Sequence, residues 1–367
     1  MERGYEHRLS NRCLSPLRYP GGKAKITQFI ANVLDTNKIT GTYIEPFAGG
    51  AGVALNLLYA GKVNSIIIND LDEGVYYFWK TATNEPDYLT NKIKKVPFSY
   101  GESNNPEVLS SYWQVIKKRY ETNKYRDTRL KAFDFLMLNR MNVSGIINAG
   151  PIGGITQENS YDISARFNKQ TLIERLELIY AYSDKIRVTN FEASHFLDLL
   201  SQGYFNTNSD SLVYLDPPYF NQGKKLYDCF APYIIHSLIA DKLLKAPWKW
   251  LLTYDTAPQI SKLYPQKQVQ KFRYNIRYSA NKKAFTKSIF SRATPLTSNH
   301  FQTFNYVKSL VSLCTFLPRS PQLLLQDRGS RLCPGRLGSL VLPPNQQNRI
   351  GFRCVFQGGE SRPNTRS

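Results

Sequence analysis

Thr42-Tyr43-Ile44-Glu45-Pro46-Phe47-Ala48-Gly49-Gly50-Ala51-Gly52 is followed by the apolar run Val53–Tyr59. Thr42–Ile44 reads as a short strand and Val53–Tyr59 as a helix. The turn between them is rich in glycine, so its backbone can approach a ligand closely, and the helix start offers unpaired N–H groups. A second apolar run, Val63–Ile68, ends in Asn69-Asp70-Leu71-Asp72, and Val75, Tyr76, Phe78 and Trp79 then mark another helix. Strand, glycine-rich turn, helix, strand and acid make a βαβ unit and predict a parallel sheet. Asp70, at the end of the second strand, is placed to accept the hydroxyls of a ribose. Asp72 reads equally as a ligand or as a helix N-cap. The turn departs from G-x-G-x-x-G and no P-loop Lys-Ser/Thr follows, which favours a nucleoside without a pyrophosphate over NAD or ATP.

Outward from this unit, Pro16–Lys25 is a glycine-rich turn opening a helix that reaches Leu34. Downstream, Ile186–Phe191, Leu212–Leu215, Trp250–Tyr254 and Phe272–Tyr278 read as strands. Leu172–Tyr182, Ile234–Leu244 and Ala257–Leu263 read as helices. Residues 84–170 have a different character, with helical patterns at Tyr112–Tyr120 and Thr128–Leu138. Asn139–Gln157 holds four glycines, Gly145, Gly150, Gly153 and Gly154, and reads as a hairpin or extended loop. The fold class is therefore α/β, with 14–83 and 171–290 forming one domain and 84–170 a mainly helical insertion. Composition changes near 288–293. Residues 1–290 carry 38 basic and 26 acidic side chains, whereas 291–367 carry 10 and 2, with Arg replacing Lys. That tail has little periodicity and reads as a disordered or foreign extension.

Asp216-Pro217-Pro218-Tyr219 closes the strand Leu212–Leu215. Each proline fixes its own φ and lacks an N–H, so this strand end is rigid. The Asp216 carboxylate and the Pro217 carbonyl can accept hydrogen bonds from one planar donor, with Pro218 shaping the slot and Tyr219 stacking alongside. An exocyclic amine on an aromatic ring fits. Two prolines after a strand, taken alone, more often merely end it.

The net charge of +20 favours a polyanion, nucleic acid before a membrane surface. No apolar stretch reaches the ~18 residues of a membrane span. The polar start, with Arg3, Arg8 and Arg12, is not a secretory signal. Five scattered cysteines without a CxxC read as free thiols in a reducing, cytoplasmic setting, with no metal site.

Pro16–Lys25, Tyr43–Gly52, Asn69–Asp72 and Asp216–Tyr219, in this order, resemble the Dam-type (group alpha) DNA adenine N6-methyltransferases over about residues 14–290. The resemblance implies a Rossmann-like sheet that binds S-adenosylmethionine. Tyr19 would stack near the cofactor's adenine, with Gly21, Gly22 and Lys23 lining the same pocket. Glu45, Phe47, Gly49 and Gly50 would hold its methionine part, Asp70 its ribose, and Asn190 and Phe191 its adenine ring. Residues 139–157 resemble the family's DNA-reading hairpin. Asn142, Ser144 and Asn148 are then candidate base contacts, Arg140 or Arg166 would touch phosphate or base, and Arg18 matches a basic position that reaches DNA. Asp216 to Tyr219 would receive an adenine flipped out of double-stranded DNA. The resemblance also implies a closing strand after Phe272–Tyr278, begun here at Phe285–Phe290, a monomer, and a cognate restriction endonuclease as a further partner. Two rivals stand beside it: methylation of another planar amine (cytosine N4, an RNA base, a glutamine side chain), and a DNA-binding module that has lost catalysis.

Overall fold

A computed structural model describes residues 9, 14–18, 26–102, 104–207, 209–218, 233–265, 267–277 and 284–291. Tyr19, Gly21, Gly22, Lys23, Tyr219 and the tail beyond Ser291 lie outside the described residues. The chain runs α1 (Thr27–Thr36), β1 (Thr42–Glu45), α2 (Gly52–Tyr59), β2 (Ser65–Asn69) and α3 (Glu73–Asn84). Four helices follow before the next strand: α4 (Pro86–Lys94), α5 (Pro106–Thr122), α6 (Thr128–Met141) and α7 (Lys169–Ala181). Then come β3 (Ile186–Thr189), α8 (Ala193–Ser201), β4 (Ser211–Leu215), α9 (Tyr233–Lys245), β5 (Lys249–Asp255), α10 (Pro258–Leu263), β6 (Gln270–Arg277) and β7 (Ala284–Ser291).

The seven strands form one sheet in the order β3-β2-β1-β4-β5-β7-β6. β1 to β5 are parallel, and β7 runs antiparallel between β5 and β6. This is a Rossmann-like arrangement. Alternate residues feed two cores. Tyr43, Ile66, Ile68, Leu212 and Leu251 face one layer, covered by α1 to α7. Ile44, Ile67, Val213, Leu215 and Leu252 face the other, covered by α8, α9 and α10. β4 is buried along its whole length, as a central parallel strand must be when helices cover both faces.

β7 is the closing strand expected from Phe285–Phe290. Ile289 pairs with Thr253 on one side and Phe272 on the other, and Ile289 and Phe290 are each 1% exposed. The sheet is closed at this side before the tail begins. β3 is shorter than its apolar pattern suggests: it ends at Thr189, so Asn190 and Phe191 stand beyond the ladder. Among the described residues no helix is long and apolar enough to cross a membrane.

The helices between β2 and β3 are locally well specified. Asn105, Asp127 and Asn168 cap α5, α6 and α7 through side-chain oxygens that accept backbone N–H bonds. Gly74 lets α3 lie directly on its neighbours, because a Cβ there would run into the Tyr120 hydroxyl and the Phe135 ring. Buried Asp134 accepts two bonds from Arg119 and one from Tyr125 Oη at 2.8 Å, so its charge is fully met.

Candidate functional site

The strand order reverses between β1 and β4: the chain moves from β1 to β2 and β3, then returns to β4 on the other side of β1. In open parallel sheets ligands bind in the crevice outside the carboxyl ends at this point. Glu45, Asp70 and Asp216 all stand at carboxyl ends there, on or just after β1, β2 and β4. Regular register puts them together. Ile44 lies between Ile67 and Val213, so residues one to three further along each strand emerge at the same edge.

The turn after β1 is built by the main chain. Gly49 has φ +46° and Ala51 φ +45°, both left-handed, whereas Gly50 needs no such freedom. The Ala48 N–H donates to the Asn69 carbonyl at 2.9 Å, and the Gly49 N–H donates to Asp70 Oδ2 at 2.8 Å. The Gly49 carbonyl accepts from the buried Trp79 indole at 2.9 Å. Glu45 is 4% exposed, and Phe47 packs, half-buried, on the second core.

Asp70 is clamped from two sides, since its Oδ1 also accepts the Asp72 N–H at 3.0 Å. The residue keeps an open flank, but its carboxyl sits deep. Desolvation, with the Asp72 carboxylate adding, raises its pKa to about 6 despite these bonds. Asp72 is an N-cap: its Oδ1 accepts the Val75 N–H at 3.0 Å. Asn190 donates its amide to the carbonyls of Asp70 (2.6 Å) and Leu71 (3.1 Å). Phe191 lies edge-on to His195 and Tyr204.

Asn69 organises all three strand ends, a role the sequence did not announce. Its amide donates to the carbonyls of Pro46 and Phe191, and its oxygen accepts the Phe191 N–H and the Thr189 hydroxyl. The signal was one polar residue closing the apolar run Val63–Ile68. Thr253 on β5 was missed for the same reason; its hydroxyl reaches Asp216 Oδ1 at 2.7 Å. Pro217 is buried, while Asp216 and Pro218 are half-buried.

Three acids at one crevice, flanked by Phe47 and Phe191, make a poor host for phosphate. They suit a ligand that carries positive charge, hydroxyls and an aromatic ring.

The segment after α6 is held differently. Val143 N–H donates to Gly150 O and Ile152 N–H to Met141 O, with an Asn142–Pro151 bridge between them, so residues 143–150 form a tight excursion. Side-chain amides fix it. Asn139, 1% exposed, accepts the Arg18 N–H at 2.7 Å and donates to the carbonyls of Arg18 (2.7 Å) and Gly145 (3.0 Å). Asn142, fully buried, accepts from the Trp113 indole at 2.7 Å and donates to the carbonyls of Ile146 and Ile147. Gln157 donates to the carbonyls of Ile152 and Gly154 and accepts the Ile163 N–H.

The surface of this segment carries Asn148, exposed, Ser144, half-buried with φ +58°, and Arg166, exposed over the Tyr161 ring. Arg18 is half-buried and its guanidinium reaches the Asn142 carbonyl at 3.4 Å; burial, then the nearby Arg166 charge, lowers its pKa. Arg140 turns inward and donates to the Pro16 carbonyl at 3.3 Å. Gly145, at φ +77°, lies against the Arg18 backbone with no room for a Cβ.

A family model described as D12 class N6 adenine-specific DNA methyltransferase matches residues 19–272, more than half of the chain. Type II methyltransferase M.MjaIII of Methanocaldococcus jannaschii is 25% identical over 209 residues, 55% of this chain and 68% of that protein. Modification methylase StsI of Streptococcus sanguinis is 26% identical over 220 residues, 58% of this chain but 30% of its own length. DNA adenine methylase of Escherichia coli K12 is 27% identical over 209 residues, 55% of this chain and 64% of its own.

Proposed function

The chain belongs to the D12 class of N6 adenine-specific DNA methyltransferases, and we propose that it methylates the N6 amine of an adenine flipped out of double-stranded DNA. The observation that carries this reading is the placement of Asp216 and Pro217 just past the end of β4, the strand paired with β1 and its glycine-rich turn, at the reversal of strand order. The donor there is S-adenosylmethionine. Glu45 would suit its positively charged methionine part, and Asp70 would take its ribose hydroxyls. Phe47, Gly49 and Gly50 border its methionine part, and Asn190 and Phe191 its adenine. Tyr19, Gly21, Gly22 and Lys23 complete this set by resemblance.

The cofactor supplies an electrophilic methyl group on a sulfonium and departs as a thioether. The protein must make a poor nucleophile react, because the N6 lone pair is delocalised into the adenine ring. The Asp216 carboxylate and the Pro217 carbonyl accept the two N6 hydrogens and draw the lone pair out of conjugation. The same carboxylate draws off the proton that the amine loses. Pro218 keeps the slot rigid and Tyr219 stacks on the base. Catalysis rests on positioning and fixed dipoles, with no covalent enzyme intermediate.

On the DNA side, Ser144, Asn148 and Arg166 face the duplex and Arg18 and Arg140 lie behind them. Asn142 acts by holding the loop that carries them. The enzyme works as a cytoplasmic monomer, and a cognate restriction endonuclease is its counterpart.

Expression in a methylation-free host, followed by sequencing that detects modified bases, tests the proposal. N6-methyladenine at a defined sequence is expected from the natural chain and none from Asp216→Ala, whose S-adenosylmethionine affinity stays near normal. Full activity of Asp216→Ala, or modification of cytosine instead, overturns it.

A further inference from the structure

We infer that Thr253 is a positioning residue for Asp216, setting the angle at which that carboxylate meets the amine. The inference rests on Asp216 being the amine acceptor, as proposed above.

Thr253 is completely buried in β5 among Trp250, Leu251, Leu252 and Tyr254. A hydroxyl in such a run is costly unless it is hydrogen-bonded. Leu215 pairs with Leu252 across parallel strands, so Asp216 and Thr253 are the next residues along. Thr253 Oγ1 lies 2.7 Å from Asp216 Oδ1, 3.1 Å from Tyr214 Oη and 3.4 Å from the Leu215 carbonyl. The hydroxyl has one proton. It goes to the nearest and most basic acceptor, the carboxylate, and Tyr214 then donates to Thr253. Tyr214 is itself held by the Tyr43 ring, stacked at 6.3 Å and 17°. Asp216 stands one residue past the end of β4, where the ladder no longer fixes it. The chain Tyr214–Thr253–Asp216 supplies a constraint from inside the sheet. A site held to sub-ångström tolerance depends on such support.

The test compares Thr253→Val, Thr253→Ser, Tyr214→Phe and Asp216→Ala by steady-state methyl transfer and by calorimetric titration with S-adenosylmethionine. Thr253→Val keeps the shape and loses the hydroxyl. It should lower kcat about 10- to 100-fold, while KM for DNA and cofactor affinity move less than about threefold. Thr253→Ser should keep kcat within about threefold. Tyr214→Phe should lower kcat severalfold, and it decides the matter if Thr253→Val fails to bind cofactor. Unchanged kcat in Thr253→Val beside an inactive Asp216→Ala overturns the role of Thr253 alone. An active Asp216→Ala overturns the site reading beneath it.

Discussion

The carboxyl edge of the sheet and the segment 139–167 are both irregular backbone, yet they are built by different means. At the edge, parallel register delivers Glu45, Asp70 and Asp216 to one crevice, and Asn69 and Thr253 adjust the ends of strands already in place. In the segment, almost no ladder exists, and the amides of Asn139, Asn142 and Gln157 stand in for one. An amide carries a donor and an acceptor, so it can pair with a backbone unit as a strand would. Asn139 does so with Arg18. Function at the edge is therefore separable from fold, whereas in the segment shape and function rest on the same bonds.

Asp216→Ala should break the edge most sharply. Losing one acceptor of developing charge costs about 10²- to 10³-fold or more in kcat, with little change in Tm. Asn142→Ala should behave oppositely. It leaves the Trp113 indole and two carbonyls unmatched, for a loss of about 2–4 kcal/mol in denaturant unfolding. KM for DNA should rise at least tenfold, while kcat at saturating DNA falls less. If Asn142→Ala instead lowers kcat alone, the two regions are not separable.

This contrast explains what was legible. The strand–turn–helix units announce themselves in Tyr43–Gly52 and Ser65–Asp72, because apolar runs and glycines are local signals. Helices such as α5 and α6 showed through the patterns at Tyr112–Tyr120 and Thr128–Leu138. Asn142 read as a base contact because polar loop residues are usually exposed; here it is fully buried. Its partner Trp113 is 29 residues away, and the Asn139–Arg18 pair spans 121. Composition does not encode bonds at such separations. Thr253 and Asn69 were hidden because a single polar residue in a strand reads as tolerated noise until its partner is placed.

Acid tests the edge more gently. Burial raises the Asp70 pKa to about 6. On the proposed role of Asp70, ribose hydroxyls bind its carboxylate, so affinity for S-adenosylmethionine should be full above pH 6 and fall as pH drops through it, by at most about tenfold per unit. For the cofactor-free fold the sign reverses. The raised pKa favours the neutral carboxyl, so this group's contribution is present at low pH and is lost as pH rises through 6. Asp70→Asn should flatten both profiles, read by calorimetric titration and thermal unfolding between pH 5 and 8.

The smallest effects give the finest comparison, because the two regions share one strained conformation. Ala51 at the edge and Ser144 in the segment both have left-handed φ, +45° and +58°. Glycine at such a position relieves about 1–2 kcal/mol and loses about 0.4–1 kcal/mol through the freer unfolded chain. The two sites differ in burial: Ala51 is 2% exposed, so its methyl adds about 0.8 kcal/mol that glycine gives up, whereas Ser144 is only half-buried. Ser144→Gly should therefore stabilise the DNA-free protein by about 0.5–1 kcal/mol, and Ala51→Gly should leave it nearly unchanged. Equal shifts in the two unfolding midpoints would mean that the Ala51 methyl contributes nothing to the packing under the β1 turn, and that the turn is held by its hydrogen bonds to Asp70, Asn69 and Trp79 alone.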